Sequence, residues 1–134
     1  MKNKNLQSGQ ALITLLFFTI IGITVTSAAV VMVLVNSTSG SKFQEGMIAY
    51  QIAESGAENG LLRVLRTPPP TYTGETLTVG TGGTATIVVT GTGTAGDPYI
   101  ITSTGQTGNF IRKIEVRATY VNNLLTVTQK QELF

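Results

Sequence analysis

Apolar residues fill residues 11–35 almost without a break, and no Asp, Glu, Lys or Arg occurs between Gln10 and Lys42. A run of about 25 such residues can cross a bilayer core as one helix, which needs roughly 20. Thr14, Thr19, Thr24, Thr26, Ser27 and Gly22 interrupt it, residue types that membrane helices tolerate and that suit close helix–helix packing. A polar patch, residues 36–41, follows. There the spacing predicts a continuous but locally weakened helix, because helical periodicity resumes at once. Phe43, Met47, Tyr50, Ala53, Ala57, Leu61 and Leu65 then recur every three or four residues. They predict an amphipathic helix over residues 42–66 whose apolar face packs on a following domain. Glu54, Glu58 and Arg66 fall towards the other side. Arg63 and Arg66 complement the macrodipole in the last turn, and Thr67 with Pro68-Pro69-Pro70 stops the helix.

From Tyr72 the period changes to two. Leu77 and Val79 mark a first strand, and the turn at residues 80–83 leads to Ala85, Ile87 and Val89. Beyond a Gly-rich loop at residues 91–96, Tyr99, Ile101 and Ser103 alternate in a third strand. After a turn at residues 105–109, Ile114, Val116, Ala118 and Tyr120 face one way and Glu115, Arg117 and Thr119 the other, while Arg112 fits neither face. Asn122-Asn123 signals a turn before Leu125, Val127 and Gln129. Consecutive short strands with brief turns predict an antiparallel meander of four or five strands, one face buried on the helix. The fold class expected is α+β: a long N-terminal helix, transmembrane in its first half and amphipathic in its second, packed on a small sheet. The segments are a leader (residues 1–9), a membrane or assembly helix (10–36), an amphipathic helix (37–66), a Pro-rich linker (67–71) and a β head (72–134).

Composition narrows the function. The chain contains neither cysteine nor histidine, which removes the thiol nucleophile, the catalytic triad and the ordinary zinc site. Its scattered acids form no suggestive pair. The Gly-rich runs at residues 80–83 and 91–94 lack the lysine and following helix of a phosphate loop. No catalytic, cofactor-binding or metal-binding residue is assigned, and an enzyme is not expected. Arg112, Lys113 and Arg117 are interrupted by Glu115 and read as a solvated strand face. The net charge of +2 is a leader effect: without residues 1–9, and so without Lys2 and Lys4, seven bases stand against seven acids. That balance makes no case for nucleic acid.

Lys2, Lys4, Ser8-Gly9 and then Gln10-Ala11-Leu12-Ile13-Thr14-Leu15-Leu16 resemble the class III signal of the type IV pilin and pseudopilin superfamily. The stretch at residues 44–58, with Ala53-Glu54-Ser55-Gly56-Ala57-Glu58, looks like the corresponding segment of PilX-like minor pilins. The resemblance covers about the first half of the chain; the β region is similar to pilin heads in layout alone. It implies cleavage by a prepilin peptidase between Gly9 and Gln10 and N-methylation of Gln10. It also implies an assembly helix beginning at Ala11, Leu12, Ile13, Thr14, Leu15 and Leu16. Its implied partners are other pilin-like subunits, an inner-membrane assembly platform and membrane lipid. The implied location is the cytoplasmic membrane, single-pass with a cytoplasmic N-terminus, and then an extracellular or periplasmic filament.

Two departures qualify the match. The fifth mature position, glutamate in most major pilins, is Thr14 here, and Gln10 stands where methionine or phenylalanine is commoner. Thr14 resembles minor or tip subunits, for which no subunit above needs pairing. Two other readings stay open. One is a single-span membrane protein displaying a β-domain for a surface ligand. The other is an exported β-domain cut near Ser27-Ala28-Ala29.

Overall fold

The computed structural model describes residues 4–69 and 71–133, with side chains described from Gly9 onward. Lys2 of the leader and Pro70 of the linker lie outside the described residues, as do the side chains of Lys4 and Ser8. One helix and five strands follow in order: α1 (Lys4–Arg66), β1 (Gly74–Val79), β2 (Gly83–Thr90), β3 (Tyr99–Thr107), β4 (Phe110–Val121) and β5 (Leu124–Leu133). The chain divides into two compact units, Met1–Ser41 and Lys42–Phe134.

In the first unit α1 is helical wherever it is described, residues 36–41 included. Two hydroxyls of this polar patch turn inward to the helix's own carbonyls: Thr38 Oγ1 donates to the Leu34 oxygen (2.9 Å) and Ser41 Oγ to the Ser37 oxygen (3.1 Å). Residues that weaken a helix by competing for its backbone are here held by it.

The second unit contains the rest of α1 and the sheet. The five strands form one antiparallel sheet in the order β1-β2-β3-β4-β5, the meander that short turns favour. Period-two burial is cleanest in β2, where Gly83, Ala85, Ile87 and Val89 are buried and their neighbours exposed. Tyr99, Ile101 and Ser103 of β3 and Ile114, Val116 and Ala118 of β4 complete the inner face, and the core joins them to Ala53, Ala57 and Val64 of α1.

The helix meets this face along a different line from the one its large residues suggest. Ala53 and Ala57 are buried as expected, and Tyr50 and Leu61 are half-buried. Phe43 (72% exposed), Met47 and Leu65 face outward. The buried row is Gly46, Ala49, Ile52, Ala53, Gly56, Ala57, Gly60 and Val64, roughly a quarter-turn around the helix at about 100° per residue. The physical reason is volume. The sheet supplies the bulk through Ile87, Ile101 and Ile114, so the helix must offer small residues to come close. At the tightest approach a Cβ on Gly105 of β3 would run into the backbone of Ala49 and Ala53, and one on Gly60 of α1 would stand 2.8 Å from Ile101 Cγ2.

At the outer part of the sheet Tyr120 keeps the side of Ala118, as its alternation predicts, and both it and Val127, opposite Ala118, are exposed. A β-bulge between Arg117 and Ala118 leaves Thr128 unpaired, so that Gln129 faces Arg117 and not the side of Leu125 and Val127. The inserted residue reverses the alternation. It brings Lys130 and Glu132, opposite Val116 and Ile114, to the helix side of an edge strand, an arrangement that discourages edge-to-edge pairing.

Candidate functional site

The described residues of the first unit present an open, largely apolar surface. Every side chain described from Gly9 to the end of this unit is exposed, among them Leu12, Ile13, Leu15, Leu16, Phe17 and Phe18. A helix that is apolar all round is stable only inside lipid or among other apolar helices. The four threonine hydroxyls of its apolar stretch are satisfied by the helix itself. Thr14 Oγ1 donates to the Gln10 oxygen (2.9 Å), Thr19 to Leu16 and Thr24 to Ile21 (both 2.8 Å), and Thr26 to Gly22 (2.8 Å). This matters because an unsatisfied hydroxyl in hydrocarbon costs several kcal/mol, roughly 4–8 on the strictest scale. This helix, near the N-terminus, is long and apolar enough to cross a membrane.

Gly9 and Gln10, the residues of the implied cleavage, stand side by side on this helix, both exposed. A Cβ on Gly9 would meet nothing within 4 Å, so the fold places no demand for glycine there. Ala11 and Thr14 are exposed on the same segment as Leu12, Ile13, Leu15 and Leu16. Thr14, with its hydroxyl turned back to the backbone, carries no charge into the apolar surface.

In the second unit the polar residues lock the head together. Arg63 grips Glu75 at the start of β1 through Nε (3.0 Å) and Nη2 (3.4 Å), and Tyr72 Oη donates to the same carboxylate (3.1 Å). Burial pushes the Tyr72 phenol up to about 12, the hydrogen bond to Glu75 and its charge add to the rise, and Arg63 opposes it. On the far side Lys130 of β5 pairs with Glu54 of α1. The hydrogen bond to Glu54 raises the Lys130 pKa, desolvation opposes this, and the charge of Glu54 adds to it. Arg112 pairs with Glu132 (3.1 Å) and Arg117 with Glu115 (3.0 Å). Two of the three bases in the 112–117 cluster are therefore neutralised within the sheet, which leaves little field for an anion. Among the described residues no three of His, Cys, Asp and Glu come together as metal ligands would.

Two uncharged surfaces complete the picture. Ile48, Gln51, Ile52 and Ser55 of α1, with Val79, Gly80, Thr81 and Gly83 and with Thr107 at the end of β3, line an open cleft of about 420 Å³. The β4–β5 hairpin exposes Tyr120, Val121, Leu124 and Val127. Of the implied packing residues, the structure brings Ala53 and Ala57 to the sheet with Tyr50 and Leu61 at their margin, and leaves out Phe43, Met47 and Leu65. It adds Gly46, Ala49, Ile52, Gly56, Gly60 and Val64. The signal for these is a second three-and-four spacing, of small residues, at 46, 49, 53, 56 and 60.

Comparison with family models, with curated proteins and with solved structures finds no match for this chain.

Proposed function

We propose that the chain is a structural subunit of a type IV pilus or a type II secretion-like filament, minor or initiating in role. Its N-terminal helix anchors it in the membrane before assembly. The observation that carries this reading is the wholly exposed apolar surface of α1 from Ala11 to Val35, headed by the Ser8-Gly9-Gln10 junction. In a membrane that surface faces lipid, and in a filament it faces other helices. The second half of α1, welded to the sheet by its small residues, carries the head on the same element. On this reading a prepilin peptidase cuts between Gly9 and Gln10, Gln10 becomes the methylated amino terminus, and an assembly platform extracts the subunit. Thr14, uncharged, suits a subunit that does not pair a carboxylate with its neighbour's amino terminus.

The test is the intact mass and N-terminal sequence of the protein from the membrane fraction of cells that carry a prepilin peptidase. A chain beginning at methylated Gln10 is the expected result. A chain beginning at Met1 in those cells returns the plain single-span anchor, and one beginning near Val30 removes both.

A further inference from the structure

The loop between β2 and β3 holds a peptide bond unlike any other in the chain. Asp97 is the only aspartate, and it stands directly before Pro98, the one proline outside the 68–70 run. The fold makes no use of its carboxylate: Asp97 is exposed and joins none of the four ion pairs found among the described residues. Its main chain, by contrast, is clamped on both sides. The Asp97 N–H donates to the Thr94 carbonyl (3.2 Å) and to Thr94 Oγ1 (3.1 Å). The Asp97 carbonyl oxygen accepts from the Thr92 N–H (3.3 Å) and from Thr92 Oγ1 (3.4 Å).

The clamp is anchored to the sheet. A Cβ on Gly91 would run into the Pro98 carbonyl and one on Gly93 into the Tyr99 ring, so the two arms of the loop lie against each other. The Gly93 oxygen accepts from the Tyr120 N–H of β4 (2.7 Å). Thr92 thus holds two donors on one carbonyl oxygen, the arrangement that stabilises an oxyanion, and donors at this looser ground-state distance tighten as charge develops. The carbonyl belongs to the one residue whose own carboxyl group can reach it, and an attack within a single residue needs no encounter between separate groups.

We propose that the head cleaves its own Asp97–Pro98 bond in mild acid, with Thr92 as the oxyanion donor. The reaction goes beyond the filament reading and does not rest on it. A carboxyl oxygen of Asp97 attacks the Asp97 main-chain carbonyl carbon, and a C–O bond forms. The negative charge that develops on the carbonyl oxygen is received by the Thr92 N–H and Oγ1–H. The carboxyl proton passes to the Pro98 nitrogen as the C–N bond breaks, which leaves a cyclic anhydride on Asp97 and a free secondary amine on Pro98. Water then opens the anhydride, so the net change is hydrolysis of one peptide bond. Pro98 suits the leaving role because its nitrogen carries no N–H, and no main-chain hydrogen bond holds it back. Acid is needed because the proton comes from the carboxyl group itself. Strands β2 and β3 remain paired through residues 83–90 and 100–107, so the two pieces stay together as one head.

The test incubates the full chain in detergent at a pH of about 4, the ordinary carboxyl range, and follows its intact mass. The expected product is a chain split after Asp97, its two masses summing to the intact mass plus one water. It should form roughly tenfold faster or more than at the same pH in concentrated urea, where the Thr92 donors are lost. Hydroxylamine added during the reaction should divert the anhydride to a hydroxamate on Asp97. Asp97→Ala should stay intact. Thr92→Val should slow the split by roughly tenfold, and Thr92→Ser, which keeps the hydroxyl, should retain most of the rate. Far-ultraviolet circular dichroism shows whether each variant keeps its sheet; where Thr92→Val does not, the comparison of native chain with urea decides alone. Equal rates with and without urea overturn the proposal, because they reduce the split to the acid lability of any Asp-Pro bond. Absence of the split, its persistence in Asp97→Ala, or an undiminished rate in folded Thr92→Val overturns it too.

Discussion

Gly56 of α1 lies directly over Ser103 of β3, so close that a Cβ at position 56 would collide with the Ser103 hydroxyl and stand 2.8 Å from the Ala85 Cβ. Ser103 is fully buried and its Oγ has no hydrogen-bond partner. A hydroxyl in that state is a cost, and the helix accepts it because serine is small. Gly56→Ala should therefore destabilise the head by about 1–3 kcal/mol through overpacking. Ser103→Ala should be neutral or stabilising by up to about 1 kcal/mol, since it removes an unsatisfied group. Ser103→Gly should recover part of the Gly56→Ala loss. Denaturation of the full chain in detergent, run as a double-mutant cycle, measures the coupling; strict additivity would show that the two residues do not share this contact.

The rotated helix face makes a second prediction. Val64 is buried while Phe43 and Met47 are exposed. Val64→Ala removes two buried carbons and should cost about 2 kcal/mol. Phe43→Ala and Met47→Ala, although they remove more, should shift head stability by less than about 0.5 kcal/mol. The same denaturation experiment decides it, and the opposite ranking would restore the large-residue face.

That contrast shows where the sequence was legible. In β2, β3 and β4 one side of every strand faces a single continuous core, so period-two alternation names Ile87, Ile101, Ile114 and Val116 without ambiguity. In α1 two interleaved spacings satisfy the same helical period, one of large residues and one of glycine and alanine. Hydrophobicity ranks the large ones first, yet the choice depends on how much volume the sheet brings, which local sequence does not state. The bulge opposite Arg117/Ala118 escaped for a related reason: one unpaired residue, Thr128, reverses the alternation, and no glycine marks it. For the candidate site, the uncharged helix surface could be read directly. The β4–β5 turn at Asn122-Asn123 could be read too, whereas the cleft could not, because it arises from where the β1–β2 turn and the end of β3 meet the helix.

Tyr72 gives a pH signature. Its phenol is raised from 10.0 to about 12, chiefly by burial and then by the hydrogen bond to Glu75. The folded state thus holds the proton more tightly than the unfolded chain, whose phenol titrates near 10. The contribution is fully present below pH 10 and is lost as pH rises towards 12. Wild-type stability should fall more steeply than that of Tyr72→Phe between those values, and the difference spectrum of the two proteins at 295 nm should titrate near 12. A difference spectrum titrating near 10 would show that neither the burial of the phenol nor its Glu75 contact holds in solution.

Lys130 and Glu54 join the edge strand to the helix, with side chains 44% and 34% exposed. At that exposure the pair should couple by about 0.2–1 kcal/mol and weaken in high salt. The Lys130 pKa is raised, first by its hydrogen bond to Glu54. The coupling is therefore complete below the ordinary lysine range and disappears as pH climbs through the raised value. A cycle of Lys130→Met and Glu54→Gln, measured at low and at molar salt, tests it; coupling that survives molar salt undiminished would mean packing and not charge.

Gly9 offers the sharpest separation of fold from processing. Its position on α1 is open, with nothing within 4 Å of where a Cβ would stand, and residue 9 lies far in sequence from the core of the second unit. Gly9→Val should leave the denaturation curve of the head unchanged. If a prepilin peptidase reads this junction, the same substitution should abolish cleavage before Gln10, so that the mass keeps the nine leader residues and Gln10 is never methylated. Glycine is then required by the peptidase's active site and not by the helix. Unaltered processing of the variant would remove Gly9 from the cleavage motif, and with it the strongest residue-level support for a pilin-like subunit.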